Sequence, residues 1–528
     1  MINGCIDSEY DNSMNTPHPL EVELKLALPP PQVAAFLRLM VRRRVAPEQQ
    51  SLLTRYFDTP AFSLSRQGIA LRVRRIGRRW VQTLKTEGER HGGLSRRAEY
   101  EVPISGRVPD WSRFPAEAQA WVPQALRAQL VPVFETEFKR TAWLLAGGQG
   151  AAIEVALDVG EVRVPDDSGD AALRQPICEI ELELKSGQPD ELFTLALDWA
   201  SQLDLLPLDI SKADRGVQLA LRQPLEPVKS LPLTLDKNMS VEEGFAAVCQ
   251  DCLAQFQANL PGVLEEDDIE YVHQARVALR RLRAALRIFR RVCAVPPDLL
   301  AQLRELAGTL GPARDWDVLM SETLPQVAEH FPDAAAWQQG VSRLEALRAE
   351  VRANMRTRLL QAHPGAWLLA FQRWLLQRGW RRNSAGGMAS EAQRFVQLAA
   401  LRPWAQRALR KGRRPVMRGA QVFGELNAQQ RHRLRIAIKR HRYATEFFQA
   451  LFGGRRYVRY QAALRCAQDS LGCYRDAQVA SDFLWQADAG AMAEFARGWL
   501  AARQTEVIPT ESTAAVQALL ALKLPDGL

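Results

Sequence analysis

Glu21-Val-Glu23-Leu-Lys25, near the start of the chain, puts two carboxylates and an amine on alternate residues with apolar side chains between them. In an extended strand every second side chain points the same way, so this run has one charged face and one apolar face. The pattern recurs. Arg72 and Arg74 share a face in Ile69–Ile76, as do Thr83 and Lys85 in Trp80–Thr86, and Arg97, Glu99 and Glu101 in the next run. Glu154, Ala156 and Asp158 follow, then Glu179, Glu181, Glu183 and Lys185. With Leu53–Phe57 and the run around Phe138 and Arg140, the sequence predicts about eight strands.

An antiparallel sheet with one solvated face explains any single one of these strands. It explains the set poorly, because the charged face is dense in Glu and Arg and sorts into acid-rich and base-rich groups. About eight strands suffice to close a barrel, whose interior either fills with side chains or holds a ligand. An interior of carboxylates and guanidinium groups cannot be an apolar core, since unpaired buried charge is too costly. Basic residues suit a ligand with several phosphates. Clustered carboxylates suit a hard divalent cation, Mg²⁺ first and Mn²⁺ second. Acids and bases together point to metal-bridged polyphosphate.

The same residues resemble a family. Glu21-x-Glu23-x-Lys25 resembles the ExExK motif of the CYTH superfamily, the triphosphate tunnel enzymes. Arg72-x-Arg74, Thr83-Leu-Lys85, Arg97-x-Glu99-x-Glu101, Arg140, Glu154-x-Ala-x-Asp158, Glu179-x-Glu181-x-Glu183 and Ser211-Lys212-Ala-Asp-Arg215 follow in the family's order. The resemblance implies an eight-stranded antiparallel tunnel that hydrolyses a terminal triphosphate with a divalent metal. Carried onto this chain, it implies Glu21, Glu23, Asp158, Glu179 and Glu181 as metal ligands, with Glu183 on the same face. Lys25, Arg72, Arg74, Lys85, Arg97, Arg140, Lys212 and Arg215 would hold phosphates. Glu21, Glu23 and Lys25 would be catalytic, Lys25 by positioning or deprotonating water. Substrates within the family include inorganic triphosphate, thiamine triphosphate, RNA 5′-triphosphate and ATP for cyclisation, and the sequence discriminates poorly among them.

At 528 residues the chain is too long for one ordinary core. A hydrophobic fraction of 47% with 24% charged residues is that of a globular protein. No apolar run approaches the ~20 residues that span a bilayer. Met1 to Asn15 lacks the basic, apolar pattern of a leader, so a cytoplasmic protein with no membrane partner is expected. Seven cysteines make no disulfide framework, and Cys249 and Cys252 lie at helical spacing and read as core residues. The net charge of +9 is unevenly spread. Residues 1–225 hold 27 Lys and Arg against 30 Asp and Glu, whereas residues 226–528 hold 42 against 30. The second half should therefore favour a polyanion.

Between the halves runs a proline-rich stretch, Gln223 to Pro232, and Ser240 with Glu243 then starts a helix as a capping box. The expected division is a barrel at 18–222, a linker at 223–239 and an all-α domain at 240–510, giving an α+β protein overall. The helical part is written twice, at about 240–380 and 400–510. His273, Arg276, Arg280 and Arg283 align with His432, Arg435, Lys439 and Arg442 at an offset of 159. Leu310-Gly311-Pro-Ala-Arg314-Asp315 aligns with Leu471-Gly472-Cys-Tyr-Arg475-Asp476 at an offset of 161. Two related bundles packed together are expected. On a helix the first basic set falls within an arc of about 80°, with Leu279, Leu282 and Leu286 on another side.

This half resembles the CHAD domain, a helical module often found behind CYTH domains. The resemblance implies binding of inorganic polyphosphate by His273, Arg276, Arg280, Arg283, His432, Arg435, Lys439 and Arg442. Arg314 and Arg475 beside Asp315 and Asp476 read equally well as structural ion pairs. The leading expectation is an inorganic triphosphatase with a polyphosphate-binding module behind it. The alternatives are a non-catalytic polyphosphate sensor, a thiamine or nucleoside triphosphatase, and an adenylate cyclase. A nucleic-acid partner is disfavoured because no nucleic-acid module is recognisable and the aromatics are dispersed. Oligomeric state is not legible.

Overall fold

A computed structural model describes residues 20–164, 173–382, 387–487 and 489–522. Met1 to Asn15, where no leader pattern is read, and the first two residues of the expected barrel fall outside them. The chain divides into two compact units, up to Pro224 and from Leu225 onward.

In the first unit eight antiparallel strands close on themselves. They are β1 (Leu20–Ala27), β2 (Glu48–Asp58), β3 (Ile69–Ile76), β4 (Arg79–Thr86), β5 (Leu94–Ile104), β6 (Val131–Ala146), β7 (Ala152–Val164) and β8 (Leu173–Ser186). Neighbours around the ring run β1, β8, β7, β6, β2, β3, β4, β5 and back to β1. Two short pieces, Glu89–His91 and Leu206–Pro207, pair with β5 and β1.

The barrel differs from an ordinary one in that most of its apolar packing lies outside the ring, while a cluster of Leu52, Tyr56, Phe134, Phe138, Val162 and Ile177 fills one end of the lumen. Leu24 and Leu26, between the charged residues of β1, are fully buried. On one side Trp143 of β6 meets Phe36 of helix Val33–Arg42, which stacks edge-on against Trp199 of helix Asp190–Ala200. On another side Leu71, Val73 and Leu84 pack beneath Phe114, Ala118 and Val122. Covering the outside with apolar helices and loops leaves the charged half of each strand no place but the lumen.

Helix α1 (Lys212–Ala220) completes this unit. Ser211 and Asp214 form a reciprocal capping box that fixes its first turn. Gly216 lets it settle on β6, since any Cβ there would run into the ring of Phe134. The result is that Lys212, at the first turn, reaches into the barrel.

After an extended coil up to about residue 239, the described residues of the second unit are helices and the loops between them. The elements that matter below are α2 (Val241–Glu265), α3 (Ile269–Phe289), α4 (Pro297–Val318), α5 (Ala428–Phe447) and α6 (Arg455–Ala487). Ser240 and Glu243 cap α2 reciprocally. Cys249 and Cys252 are buried on α2, and Leu279 and Leu282 of α3 are fully buried. The duplicated helices lie in one compact unit, where α3 packs on α5 and α4 on α6. No helix among the described residues is long and apolar enough to cross a membrane.

Candidate functional site

Strand register explains how the lumen is wired. Glu21 stands opposite Arg97 across β1 and β5, and Lys25 opposite Glu181 across β1 and β8. Lys85 faces Glu99 across β4 and β5, and Arg140 faces Asp158 across β6 and β7. Each of these pairs closes into an ion pair. Arg97 Nε lies 2.9 Å from Glu21, Lys25 Nζ 3.1 Å from Glu181, Lys85 Nζ 2.9 Å from Glu99 and Arg140 2.7 Å from Asp158. Arg97 also donates to Glu23 at 2.7 Å, and Lys85 lies 2.9 Å from Glu21.

These residues wall a cavity of about 470 Å³, large enough for a chain of several phosphates. Glu21, Glu23, Lys25, Arg72, Arg74, Lys85, Arg97, Arg140, Glu181, Glu183 and Lys212 all line it. Asp158, Glu179 and Arg215 do not. Asp158 and Glu179 are fully buried behind the wall, where Arg140 holds the first and Arg215 the second. Glu183 sits farther along β8, paired with Lys185 at 2.8 Å.

Oxygens of Asp158, Glu179 and Glu181 come within 4.8 Å of one another, a spacing that could hold a cation. The ammonium of Lys212 stands against all three, at 2.6, 2.5 and 2.9 Å. Burial alone would lower the Lys212 pKa, but Asp158, Glu179 and Glu181 together raise it well above its ordinary value. The hard carboxylate oxygens that remain on the cavity surface, from Glu21, Glu23, Glu181 and Glu183, are the donor chemistry that Mg²⁺ or Mn²⁺ prefers. The residues therefore fit such an ion.

Burial also works against the charge on Lys25, yet Glu23, Glu181 and Glu179 outweigh it and hold the ammonium above its ordinary pKa. Arg74 lacks such compensation. Burial and the neighbouring Arg72 and Arg140 push it down to about 10, while its Nε donates to Thr54 at 3.0 Å.

Tyr56 and Glu99 are among the cavity residues to which the sequence assigns no role. Tyr56 is buried, stacked on Phe134 at 4.5 Å, and faces Arg72 across β2 and β3, and its pKa is lowered because Arg72, Arg74 and Lys212 outweigh its burial. Its parity on β2 could have placed it in the lumen, two residues beyond Thr54. Glu99 pairs with Lys85 at 2.9 Å and lies 3.5 Å from Arg72.

In the second unit the two basic rows converge. Arg276, Arg280 and Arg283 from α3 act on Lys439 of α5, and Arg475 of α6 acts on both Arg276 and Arg435. Here the duplicated glycines find their meaning. The guanidinium of Arg276 lies over Gly311, and that of Arg435 over Gly472, so each glycine leaves the helix surface flat beneath an arginine of its own copy. Asp315 approaches Arg276 at 3.9 Å, and Asp476 is the leading charge that stabilises Arg435. The aspartates thus steady the rows, whereas Arg314 turns to Glu322 at 2.6 Å. Burial followed by like charge lowers the pKa of Arg276, Arg435 and Lys439, the last to about 8. The buried Nε atoms of Arg280 and Arg435 have no hydrogen-bond partner.

Not every residue of the rows is equally placed. His273 is half-buried, with its pKa lowered by burial and then by Arg314. His432 is exposed. Arg442 is engaged locally with Glu446, with Gln468 at 3.0 Å and with the ring of Tyr443.

Comparison with known proteins gives two family matches, the CYTH domain over residues 19–217 and the CHAD domain over residues 247–485. An inorganic triphosphatase of Haemophilus influenzae is 34% identical over 207 residues, which are 38% of this chain and 56% of that protein. An uncharacterized protein of Mycobacterium tuberculosis is 29% identical over 293 residues, 53% of this chain and 54% of its own. The chain thus spans little more than half the length of these curated relatives. The crystal structure of the CHAD domain from the plant Ricinus communis aligns with 57% of this chain and 99% of its own, at 30% identity and a TM-score of 0.50.

Proposed function

This chain belongs to the CYTH and CHAD families, with one domain of each, and on that premise we propose that its barrel hydrolyses inorganic triphosphate to diphosphate and phosphate. The observation that carries the reading is the cavity itself, where Lys25, Arg72, Arg74, Lys85, Arg97 and Arg140 stand among carboxylates inside a closed ring of strands. Such a lumen binds a short, highly charged polyanion along its length, because fixed cations replace the water that would otherwise solvate each phosphate. The named likeness to an inorganic triphosphatase adds support.

Under this reading Arg72, Arg74, Lys85, Arg97 and Arg140 bind and orient the phosphoryl oxygens, and Lys212 holds the inner end from α1. Arg215 supports that end through Glu179. Glu21, Glu23, Glu181 and Glu183 would hold a divalent metal, with Asp158 and Glu179 setting the charge behind them. The metal, when bound, neutralises phosphoryl oxygens as charge shifts toward the leaving group. Lys25 remains an ammonium at neutral pH, so it positions water or phosphate by donation, and a carboxylate takes the proton of the attacking water. The helical unit binds longer polyphosphate along the Arg276, Arg280, Arg283, Arg435 and Lys439 rows. The unpartnered Nε atoms of Arg280 and Arg435 are the observation behind this second assignment.

The test is phosphate release by the full chain from tripolyphosphate with Mg²⁺ or Mn²⁺, beside ATP and thiamine triphosphate, with cyclic AMP followed in parallel. Metal-dependent release from tripolyphosphate, at least tenfold faster than from ATP, is expected. Cyclic AMP formation, or a folded protein inert with both metals, would overturn the assignment.

A further inference from the structure

With one exception, every lysine and arginine that lines the barrel cavity lies within 4.0 Å of a carboxylate. The exception among the described residues is Arg74 of β3, which is buried and whose partners are neutral. Thr54 stands directly opposite it on β2, and the Thr54 hydroxyl accepts from Arg74 Nε at 3.0 Å. The guanidinium carbon lies 5.8 Å from the centre of the Phe138 ring on β6. Phe138 is paired with Leu52, two residues along β2 from Thr54, so both holders sit on adjoining strands of the ring.

Phe138 gathers more than one cation. The guanidinium of Arg140 lies 5.8 Å from its centroid and the ammonium of Lys212 5.0 Å. An aromatic face attracts cations within about 6 Å and cancels none of their charge. Arg140 and Lys212 are neutralised by acids as well, and Arg74 is not. Phe138 also belongs to the apolar cluster that fills this end of the lumen. Arg74 has therefore lost water there without gaining an opposite charge, and only its Nε is hydrogen-bonded. Its two terminal nitrogens remain for a ligand, and a phosphate that engages both supplies the missing charge without displacing an acid.

Resting on the reading of the lumen as a triphosphate site, we propose that Arg74 anchors the phosphate nearest the apolar end, and that Thr54 and Phe138 are its positioning residues. The hydrogen bond from Thr54 sets the plane of the guanidinium fork, and the Phe138 ring supports it. A carboxylate in place of either would neutralise the fork and compete with the phosphate. Neutral holders leave its full charge to the ligand. Neither Thr54 nor Phe138 borders the cavity, so each acts through Arg74 and not by touching substrate.

The experiment is a double-mutant cycle on the full chain. It is read by calorimetric titration of tripolyphosphate with metal chelated, and by hydrolysis kinetics with Mg²⁺ or Mn²⁺. Binding by the helical unit is common to all variants and cancels in the comparison. Thr54→Val should weaken tripolyphosphate binding about tenfold, since a hydrogen bond to a charged group is removed. KM should rise by a similar factor while kcat stays within about threefold, because the anchor holds substrate and transition state alike. Thr54→Ser keeps the hydroxyl and should bind within about twofold of wild type. Phe138→Leu should weaken binding by about threefold to tenfold. Arg74→Gln should weaken it most, and adding Thr54→Val to Arg74→Gln should change it by less than about twofold. Equal losses from Thr54→Val with and without Arg74, or no loss from Thr54→Val, would overturn the proposal. Wild-type binding that Arg74→Gln weakens, with no hydrolysis under either metal, would instead overturn the triphosphatase reading and leave the anchor standing.

Discussion

The barrel and the helical unit both concentrate arginine and lysine, and they treat the charge in opposite ways. In the barrel Lys25, Lys85, Arg97, Arg140 and Lys212 each lie within 4.0 Å of at least one carboxylate. Opposite charges there outweigh burial and raise the pKa of Lys25, Arg97, Arg140 and Lys212. Of the lumen cations described above only Lys85 and Arg74 are lowered, by burial and their cationic neighbours. In the helical unit Arg276, Arg435 and Lys439 are all lowered, because burial and like charge outweigh the few acids nearby. A lumen of matched charges holds each side chain in place and presents fixed dipoles to a reacting ligand, which is the arrangement catalysis rewards. An unmatched patch stores repulsion that a polyanion relieves, which is an arrangement for binding.

The largest stability effect that would sharpen this contrast is at Lys212. Lys212→Met leaves Asp158, Glu179 and Glu181 crowded without their central cation, and the unfolding free energy of the barrel should fall by about 3–5 kcal/mol. Denaturant unfolding of the full chain, followed by the barrel's tryptophans, measures it. A loss of under about 1 kcal/mol would mean that the buried ionic network does not organise the barrel. The same network predicts a direction with pH. Glu181 and Asp158 are held below the usual carboxylate range, because Lys212 outweighs their burial, with Arg140 adding to both. Their stabilisation is complete above their unfolded values of about 4.5 and 3.8 and is lost as pH falls through the depressed folded ones.

The helical unit should respond at the other end of the scale, and more gently. Polyanion binding favours the charged form of Lys439, so affinity is full below about pH 8 and declines as the free amine loses its proton. Between pH 7 and 9 the affinity for long-chain polyphosphate should drop by up to about tenfold, and Lys439→Arg should flatten the decline. Titration calorimetry at constant ionic strength is the check. An unchanged slope in the arginine variant would move the titrating group elsewhere.

Much of this was legible in the residues. Period-two charge in Glu21-Val-Glu23-Leu-Lys25 and its successors forces a polar lumen, because a strand has only two faces and the apolar one must be buried. The match of the two helical copies was legible because each glycine and arginine recurs at nearly one offset. What the sequence could not show depends on contacts far apart in the chain. That Lys212 stands between Asp158, Glu179 and Glu181 needs α1 seated on Phe134. That the two basic rows face one another needs α3 packed on α5, a contact between helices far apart in the chain. Tyr56 was missed because an aromatic in a strand reads as core, and only its parity says that it faces charge.

The most direct test of the division of labour is one variant read two ways. Glu21→Gln/Glu23→Gln should lower metal-dependent phosphate release from tripolyphosphate by at least about 100-fold. Long-chain polyphosphate binding by the same protein should stay within about twofold, since the unmatched patch lies in another unit. Retained hydrolysis, or binding lost together with hydrolysis in a folded protein, would contradict the account.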